Sequence, residues 1–175
     1  DIINSAERPI IIAGQGCNNS YRELRDFVIK SNIPITTTIH AMGCFDELHP
    51  LSLEFLGMHG NATANYAVQD ADLIIALGTR FDDRITGKVD TFAPKCFEAF
   101  QKGKGGIIHV NINKHEINYA LNTQYNFNMD CSNFLNQINS KIETVDRNEW
   151  LNKINIWKTK YPFSYRESSF GIKTQ

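Results

Sequence analysis

Short unbroken runs of apolar, largely β-branched residues recur along the chain, each followed by a stretch whose apolar residues return at helical spacing. Pro9–Ala13 (PIIIA), 72–77 (DLIIAL) and 107–112 (IIHVNI) are the clearest such runs. A strand with one wet face alternates polar and apolar residues, whereas a continuous run needs cover on both faces, as in a parallel sheet flanked by helices. The alternation therefore predicts an α/β domain with an open, mostly parallel sheet and right-handed crossovers. Ligands of such sheets sit beyond the carboxyl ends of the strands, so the loops there are the first place to look for function.

The same reading places the other elements. A helix runs from a cap at Asn19 or Ser20 to about Ser31, with Leu24, Phe27 and Val28 on one face, and a second strand covers Ile33–Ile35 and the following three threonines. Gly43–Gly60 is a long loop region, the length at which loops tend to carry function. Helices are expected over Asn61–Asp70, Pro94–Gln101, Lys114–Leu121 and Ser132–Ile142, with a weak strand at Tyr125–Met129. Residues 1–145 make the domain. In 146–175, Trp150, Ile154 and Trp157 recur at helical spacing over Glu149–Lys160, which predicts a helix packed on a neighbouring domain and leading into a connector.

Composition narrows the function. The 175 residues are 42% hydrophobic, and 18 basic against 19 acidic residues leave a net charge of −1. That balance argues against a nucleic-acid partner, because phosphate-binding domains carry a basic excess. No apolar run approaches the roughly 20 residues a membrane span needs, which predicts a soluble chain. Cys17, Cys44, Cys96 and Cys131 form no CxxC pair and read as packed free thiols, and the five histidines show no metal-ligand spacing. The chain begins at Asp1 rather than Met, as expected of a piece of a longer protein.

Three segments carry candidate chemistry. Gly14-Gln15-Gly16 follows the first strand and precedes a helix, where a dinucleotide fold offers backbone N–H groups to a pyrophosphate. The third glycine of that fingerprint is replaced by Asn19, and threonines stand where a ribose-binding acid would end the second strand, so a standard NAD site is disfavoured and a plain turn fits equally. Arg80 and Arg84 flank Asp82 and Asp83 past the third strand, either as two guanidiniums for a phosphate or carboxylate or as a surface ion-pair cluster. Gly57-Met58-His59-Gly60 sets a soft apolar side chain and an imidazole between glycines. No GxSxG elbow or other catalytic acid, base or nucleophile stands out.

The strings LGMHGNATANYAVQDADLIIALGTRFDDRITG (residues 56–87) and GGIIHVNI (residues 105–112) closely resemble the central domain of the acetolactate synthases, also called acetohydroxyacid synthases, a thiamine-diphosphate enzyme family. The resemblance runs from Ala6 to about Tyr165. The segment around GKGGIIH and the tail NEWLNKINIWKTKYPFSY resemble the fungal version rather than the bacterial or plant one. In this family the central of three α/β domains binds FAD, which has no net redox role in the main reaction. Thiamine diphosphate and Mg2+ are held by the other two domains, so no catalytic group is expected in this segment.

The resemblance implies that flavin meets the first turn at Gly14, Gln15, Gly16 and Asn19. Further contacts are implied at Thr38 and Ile39, at Leu56, Gly57, Met58 and His59, and after the third strand at Gly78, Thr79, Arg80, Arg84 and Ile85. The adenosine end is implied near Asn111, Ile112, Glu116, Asp130 and Cys131, with Asn111 standing where the family often has an acidic residue. Met58, Asp83 and Arg84 match a substrate channel whose arginine helps recognise the second 2-oxo acid. A parent enzyme joining two pyruvates, or pyruvate and 2-oxobutanoate, in branched-chain amino acid synthesis is implied, as a mitochondrial homo-oligomer with a regulatory subunit. The alternative is a stand-alone nucleotide-binding or regulatory module.

Overall fold

The unbroken apolar runs form the middle of a six-stranded sheet. The structure is a computed structural model that describes residues 1–164. In chain order the elements are α1 (Ile2–Ser5), β1 (Pro9–Ala13), α2 (Tyr21–Ser31), β2 (Ile35–Thr37), β3 (Ser52–Phe55), α3 (Ala62–Asp70), β4 (Leu73–Leu77), α4 (Asp83–Thr86), α5 (Pro94–Gln101), β5 (Gly106–Val110), β6 (Tyr125–Phe127), α6 (Cys131–Asn139) and α7 (Asn148–Lys160). The strand order is β3-β2-β1-β4-β5-β6 and every pairing is parallel. Successive side chains of a strand point to opposite faces, and β1 shows the consequence. Ile11 and Ala13 join Leu24, Phe27 and Val28 of α2 and Leu135 of α6 on one face, while Ile10 and Ile12 join Ala64, Ala67 and Val68 of α3 on the other.

Two expectations fail locally, for different reasons. The region 43–60 is not wholly loop, since β3 forms within it and pairs with β2 through an irregular register. Glu54 sits at φ +59 inside that strand, a conformation β-strand propensity does not favour. The Lys114–Leu121 helix shrinks to one 3₁₀ turn at Lys114–Glu116. Asparagine side chains there take over the backbone bonding: Asn113 accepts from the His115 amide, and Asn118, at φ +58, accepts from both the amide and the hydroxyl of Thr123. Such local side-chain bonds compete with a helical ladder.

The aromatic stripe of α7 packs on this sheet. Trp150 and Ile154 are buried in the second cluster, and the Trp150 indole N–H donates to Pro9 O at 2.9 Å. Buried Arg147, just before α7, donates to Ser31 O and Ile3 O at 2.7 and 2.8 Å, tying the start of that helix to the end of α2 and to α1. The connector expected after Lys160 lies largely outside the described residues. All four cysteines are free and buried.

Candidate functional site

In a sheet of this order the chain turns one way from β1 to β3 and the other way from β4 to β6, leaving a crevice where β1 meets β4. A cleft of ≈540 Å³ opens there, at the carboxyl ends of the strands. Its lining draws on the loop after every strand but one: Gln15 and Gly16 after β1, Thr38 and Ile39 after β2, Leu56, Met58 and His59 after β3, Gly78, Thr79, Arg80, Arg84 and Ile85 after β4, and Asn111, Ile112 and Glu116 after β5. Asp130 and Cys131, at the start of α6, close the far wall. Four of the residues marked in the sequence lie outside this lining: Gly14, Asn19, Gly57 and Asp83. Asp82, marked in the sequence between the two arginines, lines it, and three others line it unforeseen, His40, Phe55 and Asn113.

The first turn packs closely against the loop after β4. A Cβ on Gly14 would lie 2.3 Å from Gly78 O, and one on Gly16 would lie 2.8 Å from Gly78 Cα. These glycines let the β1 and β4 loops touch, with their missing side chains pointing into protein rather than toward a ligand. The Gly14 amide donates to Leu77 O at 2.7 Å and the Gly16 amide to Gly78 O at 3.2 Å, so neither is free to meet a pyrophosphate. Gly57 is similar: a Cβ there would lie 2.4 Å from Arg84 O, and the Asn65 side chain clasps both its amide and its carbonyl.

The loop after β4 presents side chains instead. Arg80 is exposed and pairs with Asp82 at 3.5 Å. The Arg84 guanidinium approaches the Met58 sulfur at 3.9 Å, and the Met58 amide donates to Arg84 O at 2.9 Å, so two of the three expected channel residues are neighbours. Arg84 thus stands apart from the Arg80–Asp82 pair. The Thr79 hydroxyl and one Asp82 carboxylate oxygen are buried without a hydrogen-bond partner among the described residues. Buried polar atoms of this kind cost free energy unless something completes them. Three apolar side chains of the lining, Ile39, Met58 and Ile112, are 64%, 62% and 71% exposed.

Asn111 is already engaged. Its amide nitrogen donates to Thr79 O at 3.0 Å and its oxygen accepts from the Asn113 amide at 2.9 Å. Asp130 caps α6, its Oδ1 accepting from the Ser132 amide at 2.8 Å, and lines the cleft. Two of the buried thiols are disfavoured as thiolates. A hydrogen bond with Cys131 and burial push the Cys17 pKa well up, and burial raises Cys44 to about 11. Among the described residues no three His, Cys, Asp or Glu are grouped to hold a metal ion, and no helix is long and apolar enough to cross a membrane.

A guanidinium, partnerless polar atoms and exposed apolar surfaces around one switch-point crevice suit an elongated ligand with flat rings and an anionic middle. Fold and cleft together define an open-sheet α/β domain with a ligand-sized crevice at its switch point. The family described as thiamine pyrophosphate enzyme, central domain, matches residues 1–138, and the chain belongs to that family. It is 45% identical over 177 residues to the mitochondrial acetolactate synthase catalytic subunit of Saccharomyces cerevisiae, covering 99% of this chain and 26% of that protein. It is 37% identical to the mitochondrial acetolactate synthase of Schizosaccharomyces pombe, over 98% of this chain and 26% of that protein. A probable chloroplastic acetolactate synthase 2 of Oryza sativa subsp. japonica is 38% identical, over 97% of this chain and 25% of that protein. The chain spans about a quarter of the length of these relatives.

Proposed function

We propose that this chain is the flavin-binding central domain of a fungal-type acetolactate synthase, and that the cleft between β1 and β4 holds FAD and borders the substrate channel. The observation that carries the reading is the convergence on one crevice of residues from five strand ends and the start of α6. Arg80 meets the diphosphate, the Thr79 hydroxyl and Asp82 gain partners they otherwise lack, and Ile39, Met58 and Ile112 flank the rings. Cys131 and Asp130 border the adenosine end. Gly14 and Gly57, outside the lining, shape the loops, and Gly16 lines the cleft beside them.

In the whole enzyme, thiamine diphosphate with Mg2+ supplies the electron sink for decarboxylating pyruvate. The part of this chain is orientation: Met58 and Arg84 sit together at the rim, where the guanidinium receives the carboxylate of the incoming pyruvate or 2-oxobutanoate. The domain alone has no catalytic activity. The mitochondrion is its compartment on this reading, since the fungal relatives are named mitochondrial and the plant ones chloroplastic. Assembly is as a homo-oligomer of the catalytic subunit with a regulatory partner.

The test is to purify the full-length protein that carries this chain and record its flavin absorbance together with acetolactate formation from pyruvate. Bound FAD and acetolactate are expected. A protein that takes up no flavin, or a gene encoding no further thiamine-diphosphate domains, would leave a nucleotide-binding module without catalysis.

A further inference from the structure

We infer that His109 is a positioning residue for the cleft: its Nε2–H, together with the Asn111 side-chain amide, holds the Thr79 carbonyl inward and so fixes the backbone from which Arg80 reaches the ligand. This rests on reading the cleft as a flavin site. His109 lies next to the carboxyl end of β5, is fully buried, and is not part of the cleft lining. Its Nε2 is 2.9 Å from Thr79 O, and Asn111 Nδ2 is 3.0 Å from the same atom. A carbonyl oxygen only accepts, so Nε2 carries the proton. Nδ1 is buried with no partner among the described residues, which leaves it the unprotonated nitrogen of a neutral ring.

The loop it holds needs holding. Gly78 is at φ +61 and Phe81 at φ +57, so the chain enters the left-handed region on both sides of Thr79 and Arg80. For a bulky residue such as Phe81 that conformation persists only where the surroundings over-determine it. His109 contributes twice, since its ring also meets Phe81 edge to face at a centroid distance of 5.0 Å, and Phe92 packs on Phe81 from another side at 5.9 Å. The Gly16 amide secures the preceding carbonyl, Gly78 O, at 3.2 Å. Two successive carbonyls are thus anchored inward, from β1 and from β5. The backbone so fixed carries the partnerless Thr79 hydroxyl and Arg80 at the rim.

The experiment compares His109→Gln and His109→Leu with the wild type in the full-length protein, first stripped of flavin and then titrated with FAD. Gln presents an amide N–H at about the reach of Nε2, whereas Leu fills the space without a donor. In the stripped protein, amide hydrogen exchange over residues 78–82 is expected to quicken in His109→Leu and to return toward wild type in His109→Gln. FAD affinity is expected to fall about tenfold in His109→Leu and to stay within about threefold in His109→Gln, the scale of one lost hydrogen bond. Unchanged exchange in His109→Leu would overturn the inference, as would a Gln variant as impaired as the Leu variant, which would assign the effect to ring packing. Altered exchange with unaltered FAD affinity would also overturn it, because the loop would then not serve the ligand. If the wild type takes up no FAD, the flavin reading fails by itself, and the exchange comparison still decides whether His109 holds the loop.

Discussion

The turn after β1 and the loop after β4 lie side by side at the crevice, and they are made in opposite ways. The first is knit by backbone: Gly14 and Gly16 are glycines because Gly78 presses on them, and their amides are bonded to Leu77 and Gly78 carbonyls. The second is held from beneath by side chains of β5 and its end, and it offers Thr79, Arg80 and Asp82 to the cleft. A glycine pair after a first strand is therefore no sufficient sign of a phosphate-binding turn. The same spacing serves equally to let two loops meet, and only the direction in which the missing Cβ would point tells the two apart.

The contrast is broken most severely at Gly14. Gly14→Val would drive a side chain into the Gly78 carbonyl and Thr79 Cα, backbone that cannot swing aside, and should cost about 3 kcal/mol or more of stability. The check is the thermal midpoint of the full-length protein without added FAD. A stable variant that lost only flavin would show the turn to be a ligand-facing loop after all.

Arg80 tests the other side. Its pairing with Asp82 is exposed, so Arg80→Gln should change stability by no more than about 0–1 kcal/mol, yet weaken FAD binding about tenfold. Flavin titration and melting on one preparation measure both. A large drop in melting temperature with unchanged FAD affinity would move Arg80 into the same class as the glycines.

Arg84 separates recognition from packing at the rim. Arg84→Lys keeps the charge but loses the planar two-pronged geometry, so the ratio of products in a competition between pyruvate and 2-oxobutanoate should shift while the melting temperature stays within a degree or two. An unchanged ratio with a lowered melting temperature would make its contact with Met58 structural only.

The smallest effect is a pH dependence. Burial lowers the His109 pKa below its ordinary 6.5, opposed in part by the Thr79 carbonyl and the Glu116 charge. The unfolded chain therefore takes up the proton first as pH falls. The stability held in the neutral ring is complete above about pH 6.5 and is lost progressively below it, down to the folded-state value. Denaturation midpoints between pH 7 and 5 should fall less steeply in His109→Gln than in the wild type. Parallel slopes would mean that the ring does not titrate across this range.

The apolar runs at β1, β4 and β5, interrupted only by His109, were enough to read the parallel sheet, because burial on both faces leaves little room for polar positions. The strings around Met58 and Arg84 likewise pointed to the cleft, since a loop that must meet a ligand carries its side chains in the sequence. The short strand β3 was missed: Leu51, Leu53 and Phe55 do alternate, but the strand is four residues long and is bent at Glu54. Lys114–Leu121 was misread as helix because a propensity window does not register asparagines bonding their own backbone.

Local sequence thus determined which segments become strands and which loops carry polar chemistry, since both follow from hydrophobic period and residue type within a few positions. Tertiary structure decided what those residues do. Gly14 and Gly16 became packing contacts only because Gly78, some sixty residues away in the chain, arrives against them. His109 acquired a role only because Thr79 turns its carbonyl inward across the β4–β5 ladder. A hydrogen bond or a close approach is set by distances between strands that sequence neighbours do not encode, and these are fixed only when the sheet is assembled.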